Sequence, residues 1–169
     1  MAWRMNWALL IAIIIPTIGG SIIGEVFVKK NMAWYESLKK PKYNPPKWAF
    51  AFVWTALYCT MGHASYLVWR DGGGFEGAAL PLSVYGVNLA LNWLWTPLFF
   101  GMHQLKWSLY EVVMLDASTA ALGIVFYPVN SVAGYIIIPY FVWVCYATLL
   151  NYAIYRNNKD LPEKIKNDN

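Results

Sequence analysis

Five apolar runs, at residues 7–28, 48–69, 79–101, 105–126 and 132–155, dominate this chain of 169 residues. Each is about the 20 residues a helix needs to cross a hydrocarbon core of about 30 Å. Transmembrane strands need only about 10 residues and alternate strictly, which these runs do not. Apolar residues make up 59% of the chain and charged ones 13%, more apolar surface than one water-soluble domain of this size can hide. A helix satisfies its own backbone hydrogen bonds inside lipid. The expected fold is therefore an all-α membrane protein, a bundle of five transmembrane helices over residues 1–156, followed by a polar tail at 157–169. The first run opens near Arg4 like a secretory signal, but it continues past Gly19-Gly20-Ser21 to Val28 and is read as a span.

The cations orient the bundle. With five spans, Arg4 and Arg70 fall on one side. Lys29, Lys30, Lys39, Lys40, Lys42, Lys47, Lys106, Arg156, Lys159, Lys164 and Lys166 fall on the other. The positive-inside rule then places the C-terminus and the first loop in the cytosol. The net charge of +4 follows from this topology and is no signature of nucleic-acid binding; lipid head groups or an acidic ligand suit these positions better. Cys59 and Cys145 both lie inside spans, so a disulfide framework is not implied.

The long connection is the first, residues 29–47. It is basic, proline-rich and aromatic, with Trp34, Tyr35, Tyr43 and Pro45-Pro46. A loop of that length is usually functional or disordered, and its rings argue for packing, as a lid over the mouth of the second helix would. Glycines punctuate the spans; Gly20-Ser21-x-x-Gly24 suits a close helix contact, read as packing within the chain ahead of dimerisation.

Several motifs in order carry a family resemblance. They are Trp34-Tyr35-x-x-Leu38-x-Lys40-Pro41, Pro45-Pro46, Val53-Trp54-Thr55-x-Leu57-Tyr58-x-x-Met61-Gly62, Tyr66-Leu67-Val68-Trp69, Leu89-Ala90-Leu91-Asn92-Trp93-x-Trp95, Phe99-Phe100-Gly101 and Leu150-Asn151-Tyr152. On these the chain resembles the translocator protein family, once called the peripheral-type benzodiazepine receptor, in its animal mitochondrial form. The resemblance implies a five-helix bundle with a pocket near the cytosolic side, closed by the first loop. It implies cholesterol, porphyrins such as protoporphyrin IX, and benzodiazepine-type molecules as ligands. An outer mitochondrial membrane location, homodimers and a part in cholesterol or porphyrin handling and steroid metabolism are implied with them.

Helical spacing groups the pocket candidates. Trp54 and Tyr58 share a face of the second run; Asn88, Asn92 and Trp95 recur on the third, and Tyr140, Trp143, Ala147 and Asn151 on the fifth. Such stripes also read as packing or as interfacial belts. What singles out Trp54, Trp95, Trp107, Trp143 and Asn151 is the resemblance, which matches them to pocket-lining positions. A flat polycycle needs aromatic walls, clearance (Ala147) and orienting amides (Asn151). Lys39, Lys40, Lys42 or Lys47 could neutralise porphyrin propionates, and Lys40, within a matched motif, is the best candidate; the alternative is that these lysines only hold the loop at the membrane surface.

Leu150-x-Tyr152-x-x-x-Arg156 fits a weak sterol-recognition pattern, as does Leu38-x4-Tyr43-x3-Lys47. The resemblance selects the first copy, Leu150, Tyr152 and Arg156, as the cholesterol segment. Asp116, near mid-membrane, is expected to bond a local hydroxyl, Ser118 or Thr119, or to be protonated. Val144-Cys145-Tyr146 stands where many members carry a Leu-Ala-Phe-like trio, so drug and sterol affinities are not carried over. Cys59 and His63 are i,i+4 but lack further convergent ligands; no metal site, cofactor site or catalytic residue is read. The reading favours a ligand-binding protein. The alternatives are a tryptophan-dependent porphyrin-degrading enzyme and a true sterol transporter.

Overall fold

The structure, a computed structural model, describes residues 6–159. It is built from helices: α1 (Trp7–Ile23) continuing into a π-helical turn (Gly24–Val28), α2 (Met32–Ser37), α3 (Lys47–Asp71), α4 (Gly74–Gly77), α5 (Ala79–Thr96) continuing into a second π-helical turn (Pro97–Gly101), α6 (Leu105–Phe126) and α7 (Ser131–Asn158). The two short helices, α2 and α4, sit in connections. The remainder forms five long rods, and the described residues contain no strand.

Local chemistry sets the ends. Asn6 and Asn130 are N-caps whose side chains accept the amides of Leu9 and Ala133. Pro46 is the N-cap of α3, in extended conformation. Pro97 has no N–H to give the preceding turn, and the helix widens there so that Met102 N–H reaches the Pro97 carbonyl at 2.9 Å. The fifth rod runs on through Asn158. Asn157 and Asn158, expected in the polar tail, are thus helical; the tail beyond Lys159, with Lys164 and Lys166, lies outside the described residues, as does Arg4.

The rods close into a ring. α1 packs on α3, α3 on α7, α7 on α6, α6 on α5, and α5 returns to α1. Burial is inverted relative to a soluble bundle. Ile11, Ile14, Ile15 and Ile18 of α1 are exposed, while Asn88, Asn92, Ser108, Thr119 and Asn151 are buried inside the ring. Lipid is the solvent in which such an arrangement is stable.

Three rods, Trp7–Val28, Leu105–Phe126 and Ser131–Asn158, are long and apolar enough to cross a membrane. The other two have the length but not the apolarity. α3 carries tyrosines, tryptophans and His63, and α5 carries Asn88, Asn92, Trp93 and Trp95. Of the five spans read from the sequence, three therefore combine the length and the apolarity. Tyr58 of α3 and Asn88 and Asn92 of α5 turn inward and find partners on neighbouring helices.

Glycines set the closest approaches. A methyl group on Gly19 would fall 2.3 Å from the Trp93 ring, and one on Gly20 would fall 2.3 Å from the Tyr58 ring. These contacts are within the chain. Gly24, by contrast, has nothing within 4 Å.

Candidate functional site

The first loop is folded, not slack. Trp34, Tyr35 and Leu38 are buried against Phe99, Phe100 and Ile154, forming a small core of their own. Trp34 stacks on His103 at 4.0 Å and 14°, and His103 Nε2 lies 3.0 Å from Asn31 Oδ1. His103 holds a left-handed φ of 54°, a conformation that costs about 1–3 kcal/mol in a residue with a Cβ. Two further ties come from α7. Asn158 clasps the backbone of Lys39 from both sides, and Tyr146 donates to the Tyr43 carbonyl at 2.7 Å. Within the loop, Tyr35 donates to Asn44 Oδ1 at 3.1 Å.

Beneath this lid lies a cavity of about 540 Å³, within the range that takes a drug-sized molecule. Its walls include Trp54, Tyr58, Asn92, Trp95, Ala147, Leu150 and Asn151. Trp54 is set edge-on to both Tyr140 and Trp143 at 6.4 Å, and Trp95 stacks on Phe99 at 4.8 Å. These edge and offset geometries suit the quadrupoles of the rings and stiffen the walls. The indole N–H groups of Trp95 and Trp143 are buried without a partner among the described residues. Asn151, in the wall near the lid, pairs with Ser108 at 3.4–3.5 Å.

Several candidates fall elsewhere. Trp143 does not line the cavity; it stands behind Trp54, between Phe50 and Tyr146. Trp107 points outward, 61% exposed beside Tyr110. Ser108, the next residue, takes the inward position of that turn. The Leu150, Tyr152, Arg156 triplet is split across α7. Leu150 is buried in the cavity wall, whereas Tyr152 and Arg156, one turn apart, share the exposed face.

Lys40 is not at the cavity. Its ammonium donates to the carbonyls of Tyr35 (2.7 Å), Leu38 (3.0 Å) and Glu36 (3.1 Å), capping the last turn of α2. It also lies 4.7 Å from the Tyr35 ring centre. Burial lowers its pKa, partly offset by the Glu36 charge. Lys29 and Lys47 line the cavity instead; Lys47 is one of the loop lysines the sequence offers to propionates, and Lys29 is not. Lys29 pairs with Glu25 at 2.5 Å, and Lys47 reaches across to Glu36 on α2. The Lys47 hydrogen bond and charge hold the exposed Glu36 carboxyl below its usual pKa.

Asp116 corrects another expectation. Its partner is Thr148 of α7, which donates at 2.6 Å. Ser118 and Thr119 donate to the Leu115 carbonyl instead and accept from Asn88. Glu111 is buried with both carboxyl oxygens unpartnered among the described residues. Cys59 Sγ lies 3.6 Å from Thr17 Oγ1, and no cluster of three metal-ligating side chains occurs among the described residues.

Comparison with known proteins places the chain in a family. The profile of the TspO/MBR family matches residues 12–156. The chain is similar to the Translocator protein of Sus scrofa, 40% identical over 147 residues, covering 86% of this chain and 87% of that one. It is 41% identical to the Translocator protein of Homo sapiens over 141 residues, 82% and 83% of the two chains. The Tryptophan-rich sensory protein of Cereibacter sphaeroides is 35% identical over 160 residues, 95% and 98% of the two chains. By the extent of these matches, the chain is a membrane protein belonging to the TspO/MBR family.

Proposed function

We propose that the chain is a five-span membrane protein that binds a flat polycyclic ligand in the cavity beneath the first loop. One observation carries this reading: a cavity of about 540 Å³, walled by Trp54, Tyr58 and Trp95 and cleared by Ala147, lies under a loop that has its own packed core. A pre-folded lid lowers the ordering cost of binding. The ligand classes that fit are porphyrins, sterols and benzodiazepine-type heterocycles. Lys29 and Lys47 at the rim suit the propionates of protoporphyrin IX. A sterol suits the outer face of α7, where Tyr152 and Arg156 lie at an exposed helix end. The family resemblance favours the outer mitochondrial membrane, with the lid on the cytosolic side.

Filling the cavity is the direct test. Ala147→Phe places a ring in the clearance, and quenching of tryptophan fluorescence by protoporphyrin IX should then weaken by at least about tenfold, as expected when a ring blocks a packed site. Undiminished quenching in Ala147→Phe, with the fold intact by circular dichroism, would reject the cavity as the binding site.

A further inference from the structure

The cavity is walled unevenly. On α5, α6 and α7 its lining consists mostly of buried residues, among them Asn92, Val112, Leu115, Val144, Leu150 and Asn151. On the other two rods it is lined by exposed ones, Ser21 and Glu25 beside α1 and Ala51 and Thr55 on α3. That exposure is outward and not merely into the cavity. Thr55 stands two turns beyond Trp48 and one beyond Phe52, which are 71% and 70% exposed. Glu25 stands two turns beyond Ile18, which is 52% exposed. Two turns of helix return to the same face, so Thr55 and Glu25 belong to the outer surfaces of their rods. The cavity reaches the outside of the bundle between them.

Close contacts fix where this slot begins. A methyl on Gly62 would fall 2.3 Å from the Ala12 carbonyl oxygen, and one on Gly20 would fall 2.3 Å from the Tyr58 ring. One turn further on, Gly24 has nothing within 4 Å. The first and second rods therefore touch as far as Gly20 and Tyr58 and part beyond them, toward the lid. The lips are small side chains: Ser21 and Gly24 on one side, Ala51 and Thr55 on the other. Ile22, Val26 and Phe52 next to the slot are exposed and apolar, which sets it against lipid rather than water. The roof, in contrast, is tied down. Trp34, Tyr35 and Leu38 pack on Phe99, Phe100 and Ile154, and Asn158 and Tyr146 bind the loop backbone.

We propose that ligand reaches the cavity sideways from the bilayer, through the slot between α1 and α3, while the lid stays shut. The inference rests on the cavity being the ligand site. It adds the route, and with it the class of ligand: molecules that dissolve in the membrane before they bind. A gap between two rods is long and narrow, so a flat ring system passes edge-on, and the small lips leave the clearance. Lys29 and Lys47 line the lid end of the same cavity, so acidic substituents stay at the membrane surface while the rings move through hydrocarbon.

Bulkier lips test the route. Ser21→Phe and Thr55→Phe each put a ring on an exposed position, so neither removes a buried contact, and either serves if the other does not fold. Stopped-flow quenching of tryptophan fluorescence by protoporphyrin IX, with the full chain in lipid nanodiscs, gives both rates. Each substitution should slow association and dissociation together, roughly tenfold, because a barrier on the path is met in both directions. A ring that only crowds the site speeds dissociation instead, so the sign of the change in off-rate separates a blocked route from a damaged site. Unchanged rates in both variants overturn the proposal, and so does slower association with faster dissociation. Rates that respond to Asn158→Ala but to neither ring move the entrance to the lid and also overturn it. In each of these cases the cavity stands as the site. If Ala147→Phe leaves quenching undiminished, the cavity reading itself fails, and this inference with it.

Discussion

Asn158, in the last turn of α7, holds Lys39 in both directions: its Oδ1 accepts the Lys39 N–H at 2.9 Å and its Nδ2 donates to the Lys39 carbonyl at 3.0 Å. The side chain is 4% exposed and 119 residues away in sequence from the loop it grips. It mimics a strand edge, and it is the most specific tie between the lid and the fifth rod. Asn158→Ala should lose about 1–2 kcal/mol of lid closure, two hydrogen bonds less the water that replaces them. Bound protoporphyrin IX should then dissociate roughly tenfold faster, with a smaller change in association, because loosened contacts act mainly on the off-rate. Asn158→Asp keeps the acceptor and loses the donor, and should fall between. Stopped-flow dissociation measures this, and an unchanged off-rate would show that the lid does not depend on the clasp.

The lysines separate into two roles that one pair of ligands can distinguish. Lys40 caps α2 through three carbonyls, whereas Lys47 lines the cavity and pairs with Glu36. Lys47→Gln should weaken protoporphyrin IX by about threefold to tenfold, more at low salt than at high, and leave its dimethyl ester nearly unaffected. Lys40→Gln should act on both ligands alike, through a loosened α2. If Lys40→Gln discriminates between acid and ester while Lys47→Gln does not, these assignments are reversed.

The extent of the rods was legible because the period and length of an apolar run survive without tertiary information. So was the pairing of Trp54 with Tyr58, since i,i+4 fixes a shared face. What failed to show was direction. Trp107 and Ser108 are neighbours, and only the packing of α6 on α7 and α5 decides that Ser108 turns in. Asp116 has two hydroxyls nearby in sequence, yet Asn88 and the Leu115 carbonyl claim both, leaving Thr148 across the helix interface. Lys40 sits in a motif that named it for ligand, but α2 ends three residues earlier and leaves open carbonyls that a lysine satisfies. His103 gave no signal at all, for its left-handed φ and its stack on Trp34 belong to the tertiary fold.

At the opposite end of the bundle, Asn130 caps α7 and donates to Asp71 Oδ2 at 2.5 Å. With the Arg70 guanidinium as the larger influence and Asn130 as the second, the Asp71 carboxyl is pushed down to about 2 from 3.8. The folded value lies below the unfolded one, so the contribution to stability is present above about pH 4 and lost as pH falls toward 2. Asn130→Ala should raise the Asp71 pKa toward its ordinary value and flatten this acid slope. It should also cost about 1 kcal/mol at neutral pH through the lost cap. Melting in detergent across pH 2 to 6 checks both; a slope identical to that of the unaltered chain would remove Asn130 from the account.

Gly62 and Gly24 make opposite predictions from the same substitution. A methyl on Gly62 would sit 2.3 Å from the Ala12 carbonyl oxygen and 2.7 Å from Ile13 Cα. Those are backbone atoms of α1 and cannot turn aside, so α1 and α3 must move apart. Gly62→Ala should cost roughly 1–3 kcal/mol, the usual penalty of overpacking, and lower the melting temperature in detergent. At Gly24 the backbone is right-handed helical, with φ of −59°, and a methyl meets nothing within 4 Å. Gly24→Ala should be neutral, or stabilising by up to about 1 kcal/mol through the lost freedom of the unfolded chain. Gly24 borders the cavity, so the same methyl narrows the space for ligand. Gly24→Ala should therefore hold or raise the melting temperature while lowering protoporphyrin IX affinity. A Gly24→Ala protein that melts early, or a Gly62→Ala protein that does not, would mean that α1 does not sit against α3 as described.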